Sequence, residues 1–202
     1  MWRMAFAALL LAAGPAALIL PATPAAAQFS ESYTWLKAVK DKDVGKAIEM
    51  ADKPGTTVVN TRDLDTGDAA IHIVTKRGDI GWVGLIVQKG GNINAKDGQG
   101  NTPLILASLA RWQDGASLFI QLKAQINAQN RLGETALLKA VQGRDANMAK
   151  LLIESGANPD LADNSGVSAR TAASNDPRAA AIVRMLKDVP VRAARNVQGP
   201  SL

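Results

Sequence analysis

The sequence predicts an all-α stack of helix-turn-helix units joined by short hairpin loops. Three observations predict it. Gly67, Gly100, Gly133 and Gly166 stand at one constant interval along the chain. Each is followed by a segment built to open a helix: AAIH at 69–72, TPLI at 102–105, TALL at 135–138 and the divergent SART at 168–171. A second apolar segment then closes the first three units, at Leu85-Ile86-Val87, Leu118-Phe119-Ile120 and Leu151-Leu152-Ile153. The trailing strings are GGNINA at 90–95, KAQINA at 123–128 and GANPDL at 156–161. A unit of this length cannot bury its apolar face alone, so neighbours have to stack.

The pattern resembles the ankyrin repeat, whose period is about 33 residues and whose signature is T-P-L-H with a trailing G-A-x-x-N-A. The resemblance runs over roughly residues 30–188 and implies an ankyrin-repeat solenoid. It also implies a rigid, extended, concave face suited to holding a partner protein, with no cofactor.

Composition agrees with a stack of small-residue helices: 47% of the 202 residues are hydrophobic, only 4% are aromatic, and Ala and Gly abound. Residues 1–27 are set aside. Arg3 forms a short positive region, 4–20 is almost wholly apolar, and Ala25-Ala26-Ala27 precedes Gln28 as a small-residue cleavage site. This reads as a secretory signal peptide and places the mature chain in a bacterial periplasm. Release to the medium and an uncleaved signal anchor are the alternatives, but Gly14, Pro15 and Pro21 interrupt a core already short for a bilayer span of about 20 residues. The absence of cysteine excludes a disulfide framework, a thiolate metal site and a lipidated cysteine. Without residues 1–27 the chain keeps 22 basic against 18 acidic residues, net +4, and residues 170–202 alone account for +4. The repeat body is therefore neutral, and no basic stripe with interleaved aromatics points to nucleic acid. The basic end has two readings, a solvated cap with a frayed tail or a weak attraction to an acidic partner or membrane surface.

In chain order, 28–64 is an N-terminal capping unit. Tyr33, Leu36, Ala38 and Val39, then Val44, Ala47, Ile48 and Met50, fit two short helices broken at 41–43. Leu36 lies two residues more than twice the period before Leu104, so the extra length falls in the connection at 54–57. Four repeats follow at about 65–97, 98–130, 131–163 and 164–189, the last a C-terminal cap, with 190–202 a flexible tail. In the first, His72 fills the last place of the T-P-L-H motif, and the resemblance implies that it hydrogen-bonds backbone between neighbouring units; Trp82 belongs in the core. In the second, Thr102 caps a helix and Pro103 takes its first position. Lys123 stands where Gly90 and Gly156 end the other units, so this helix terminus is strained, and Gly115 is a second soft point. Trp112 is either a binding anchor facing the groove or a cover over the inter-helix turn. In the third unit Gly133, Thr135, Ala140, Gly143, Leu151, Leu152 and Gly156 all occupy expected places. In the fourth, Pro177 opens a second helix whose buried face, Ala181, Ile182, Met185 and Leu186, is shifted by one residue.

No catalytic or phosphate-binding motif is present. Gly98 and Gly100 form only part of a G-x-G, and Asp160 and Asp163 lack the loop and closing glutamate of a calcium site. No catalytic, cofactor or metal residue is assigned. The expected function is a non-catalytic, monomeric protein-binding module with an unidentified protein partner and no stable membrane anchor once the leader is removed. A chaperone-like accessory subunit of a periplasmic enzyme is the alternative, and an enzyme with an unrecognised site a remote one. Once the buried signature positions are assigned, packing makes no demand on Asp68, Lys96, Gln99, Asn101, Arg131, Glu134, Asn164 and Val167. With Trp112 these are the candidate contacts, on the hairpin tips and the concave helix face.

Overall fold

The computed structural model describes residues 24–191, with side-chain surroundings from residue 31. Ten α-helices occur among the described residues: α1 (Pro24–Asp41), α2 (Val44–Ala51), α3 (Ala70–Lys76), α4 (Ile80–Gln88), α5 (Pro103–Leu109), α6 (Gln113–Gln121), α7 (Ala136–Gln142), α8 (Ala146–Glu154), α9 (Ala169–Asn175) and α10 (Ala180–Lys187). Two 3-10 turns, Val58–Asn60 and Pro177–Ala179, complete the set. Isolated bridges pair Arg62 with Ala69 and Ala162 with Ser168, and no longer strand is formed among the described residues. The chain is all-α.

Helices α3, α5, α7 and α9 are seven residues each and start at one constant interval, while α4, α6 and α8 are nine residues each and keep the same step. Two-turn helices are unstable alone in water, so packing must hold them. The odd-numbered helices form one row, α1 on α3, α3 on α5, α5 on α7 and α7 on α9, and each second helix folds back on its own first helix. Leu104, Ile105, Leu137 and Leu138 are buried to within 1% in that row. Each contributes about 1.5–3 kcal/mol by leaving water.

Caps follow the sequence closely. Thr102, Thr135 and Ser168 accept the amides of Ile105, Leu138 and Thr171. The stack opens with the 18-residue α1, which runs through Asp41 so that the break expected at 41–43 falls at 42–43; it is not short and begins ahead of the expected cut between Ala27 and Gln28.

That first helix turns Trp35, Leu36, Ala38 and Val39 inward. Tyr33, expected on its apolar side, is 70% exposed, and in α2 the buried residues are Ala47 and Met50 rather than Val44 and Ile48. The reason is that a terminal unit has a neighbour on one side only. At the other end α10 starts at Ala180, one residue later than the period would place it, because the turn at Pro177–Ala179 comes first. Its buried side is Ile182 and Leu186, with Ala179 buried in the turn before it; Met185 is half-buried and Ala181 points outward, contrary to expectation. The leader up to residue 23 and the tail from residue 192 lie outside the described residues.

Three backbone sites recur in left-handed conformation along the repeats, at the hairpin tips, between the helices and after the second helix, where Gly90, Lys123 and Gly156 stand. At the hairpin tips, Gly67, Gly100, Gly133 and Gly166 have φ between 70° and 83°. A Cβ on Gly100 would come within 2.7 Å of the Arg131 amide nitrogen, and one on Gly133 within 2.8 Å of that of Asn164. Gly166, with no following hairpin, meets nothing within 4 Å. Between helices the left-handed residue is Lys42, Gly78, Arg111 or Arg144. A non-glycine residue there costs roughly 1–2 kcal/mol. The two arginines offset it by bonding the next unit, Arg111 to the Gly143 carbonyl and Arg144 to the Asp176 carboxylate, both at 2.5 Å.

Candidate interaction groove

The hairpins between units are braced by one acceptor at a fixed place. Asp97 Oδ1 accepts the amides of Gln99 and Asn101, Asn130 Oδ1 those of Leu132 and Glu134, and Asp163 Oδ1 those of Ser165 and Val167. These bonds hold each hairpin rigid, and the tip glycines let each lie on the next. Gly98 N donates to Thr66 O, Arg131 N to Gln99 O, and Asn164 N to Leu132 O.

His72 hydrogen-bonds backbone as the resemblance implies, but both partners, Ala69 and Ala95, lie within its own unit rather than in a neighbouring one. Ala69 N donates to its Nδ1 at 2.9 Å, so Nε2 carries the proton and donates to Ala95 O at 2.9 Å. Burial pushes its pKa below the ordinary value, and both ring nitrogens are already used. Trp82 is 6% exposed, with the Arg77 guanidinium over its ring at 5.4 Å.

Along the hairpin side of the first-helix row lie three adjoining depressions. The first, about 820 Å³, is formed by α1 and the first hairpin, with Tyr33, Leu36 and Leu64 as its apolar part. The second, about 440 Å³, shares Asp65 with it and includes Lys76, Leu106 and Leu109. The third, about 500 Å³, shares Leu109 and Gln99 with the second and adds Arg131, Leu132 and Lys139. Together they make a mixed groove with exposed leucines at Leu64 (83%), Leu109 (49%) and Leu132 (62%).

The sequence-derived candidates divide sharply in this setting. Lys96, Gln99, Arg131 and Asn164 are exposed. Asp68, Asn101 and Glu134 are not: each is at most 8% exposed and committed internally, Asp68 to Lys76 at 2.8 Å, Asn101 to Asp97 and Asn130, and Glu134 to Lys139 at 2.5 Å. Packing does make a demand on these three, because a polar group leaving water at a hairpin base needs a partner there. Val167 is half-buried against the core.

Trp112 is also half-buried, and its surroundings favour the cover over the anchor. It occupies the place that Asp79 and Asp145 hold in the units on either side, where they cap α4 and α8 by accepting the amides of Trp82 and Met148. As the residue before α6, Trp112 supplies no such bond. Its ring instead lies against Gly115, where an added Cβ would fall 2.1 Å from a ring carbon, and meets Phe119 edge-on at 6.4 Å. Gly115 is thus a seat for the indole, which corrects its reading as a soft point. Lys123 does hold a left-handed φ of 65°, as the missing glycine predicted.

The residues that sequence reasoning missed are Leu64, Leu109 and Leu132. A signal was present for Leu132, since the place before the tip glycine holds Thr66, Gln99 and Ser165 elsewhere, and a leucine in a polar turn has no folding reason.

Among the described residues no group of three or more His, Cys, Asp or Glu could hold a metal, and no helix is long and apolar enough to cross a membrane. The model of the family described as ankyrin repeats (many copies) matches residues 110–153, from the turn before α6 to the end of α8. An ankyrin-repeat family domain is therefore present over that stretch; such domains generally act as protein-protein interaction modules and are typically non-catalytic. No curated protein matches the chain.

Proposed function

We propose that this protein is a non-catalytic protein-protein interaction module of a bacterial periplasm, an ankyrin-repeat solenoid that binds a protein partner through its hairpin tips and concave helix face. The observation that carries the reading is the groove itself, with Leu109 and Leu132 exposed in one depression between rigid hairpins. Contiguous exposed apolar surface rimmed by polar groups marks an interaction site, whereas a single exposed leucine does not. The matched family domain supports the class of function, and the tripartite leader supports export.

The test is capture from periplasmic extract by the mature protein and by variants. Leu109→Asp with Leu132→Asp should lose the partner, while Lys150→Glu on the exposed side of α8 should keep it. Equal capture by all three, or loss confined to Lys150→Glu, overturns the groove assignment. Intact mass of exported protein tests location: a species beginning at Gln28 is expected, and one retaining residues 4–20 contradicts it.

A further inference from the structure

We propose that the segment bound in the third depression pairs an apolar side chain with an aspartate or glutamate, the apolar group seated on Leu109 and Leu132 and the carboxylate on Arg131. This rests on the interaction reading above and specifies the partner's chemistry. The choice turns on which groups there still have hydrogen-bonding capacity. Glu134 is occupied by Lys139 at 2.5 Å and by Asn130 at 2.9 Å. Asp97, 5% exposed behind the second hairpin, is filled by the amides of Gln99 and Asn101 and by the Asn101 side chain. Gln99 Oε1 accepts from Asn101. Lys76, across the neighbouring depression, is bound to Asp68.

Of the charged groups lining this depression, the Arg131 guanidinium alone has neither an ion pair nor a hydrogen bond among the described residues. Its backbone is nevertheless fixed: the amide donates to Gln99 O and the carbonyl accepts from Asn164 Nδ2 at 2.9 Å. A guanidinium offers five donors in a planar fork that fits a carboxylate bidentately, and here it rises from a held backbone beside an exposed leucine. Both halves of the recognition element are therefore presented together. The segments outside the described residues, 1–23 and 192–202, contain no aspartate or glutamate side chain, so the acidic side chain is assigned to a second protein.

The probe is a phage-displayed random peptide library selected on the immobilised full chain, followed by fluorescence anisotropy of labelled synthetic peptides. Selected peptides should carry an acidic residue within a few positions of a leucine, isoleucine, methionine or phenylalanine. Binding should weaken about tenfold in Arg131→Glu and fall as salt rises, while Arg184→Glu on the distant α10 leaves it unchanged. Reselection on Arg131→Glu should return lysine or arginine in place of the acid. The proposal is overturned if selected peptides show no acidic enrichment, if Arg131→Glu binds within twofold of the original, or if a synthetic 192–202 peptide binds as tightly as the selected ones. Those outcomes leave the interaction reading standing, since that is decided by the Leu109→Asp and Leu132→Asp capture experiment; thermal melts of each variant check that the stack is intact.

Discussion

The second and third units, residues 98–130 and 131–163, share a backbone and differ in how they close it. Where the third has Asp145 capping α8, the second has Trp112 with no capping bond. Where the third has the fully buried Met148, the second has Gly115, which makes room for the indole. Gly156 takes the left-handed turn at the end of α8, with φ of 93°, and Lys123 is forced into the same region at the end of α6. One unit satisfies its helix ends with polar atoms and glycine. The other covers an uncapped end with an aromatic ring and carries strain at its far end, which shows that the fold tolerates either solution if the neighbouring side chain changes with it.

The largest expected effect is from removing the cover. Trp112→Ala should destabilise by about 2–3 kcal/mol, at or below the low end of the range for a fully buried tryptophan because the side chain is only partly buried. Asp145→Ala should cost about 1 kcal/mol, the value of a cap. Urea unfolding compares them, and equal losses would mean that the indole does no more than a cap does.

A sharper break uses the seat. Gly115→Ala should cost about 1–3 kcal/mol by driving a methyl into the Trp112 ring. In a Trp112→Asp background the same change should become stabilising, by about 0.5–1 kcal/mol, through helix propensity alone. A double-mutant cycle without that change of sign would show that the indole and the glycine are not coupled.

Lys123→Gly should stabilise by about 1 kcal/mol by relieving left-handed strain, slowing amide exchange around 119–124 toward the rate at 152–157. Unchanged exchange would place the weakness of this unit elsewhere.

The smallest effect separates the first unit from both. His72 is replaced by Ile105 and Leu138 at the equivalent places. Since burial lowers its folded pKa below about 6.5, the unfolded chain binds the extra proton as pH falls. Its contribution is fully present above that value and is lost as pH drops through it toward the folded pKa. Stability measured from slightly alkaline to mildly acidic pH should decline accordingly, and His72→Gln should flatten the slope in that window while lowering stability at its alkaline end. An equal slope in the variant would assign the dependence to other groups.

Much of the architecture was legible because it is local and repeated. The glycine phase, Thr102 as a cap, a break within 41–43, the buried Trp82 and the strained Lys123 each follow from a few neighbouring residues and one period. The candidate contacts were legible only in part. Lys96, Gln99, Arg131 and Asn164 are exposed as expected, whereas Asp68, Asn101 and Glu134 sit among the same hairpin residues yet face inward. Polarity alone cannot separate a solvated side chain from one that finds a buried partner a turn or two along the chain.

Sequence by itself determined the repeat length, the two helices per unit and the residues that start and stop them, because caps, left-handed turns and apolar spacing act within one unit. Only the tertiary structure decided that Gly115 seats Trp112, that Gly133 must clear the hairpin of the next unit while Gly166 need not, and that the Arg131 guanidinium has no partner among the described residues beside Leu132. Those outcomes depend on which atoms of neighbouring turns and units meet, and close packing makes a single close contact decisive where composition and period are silent.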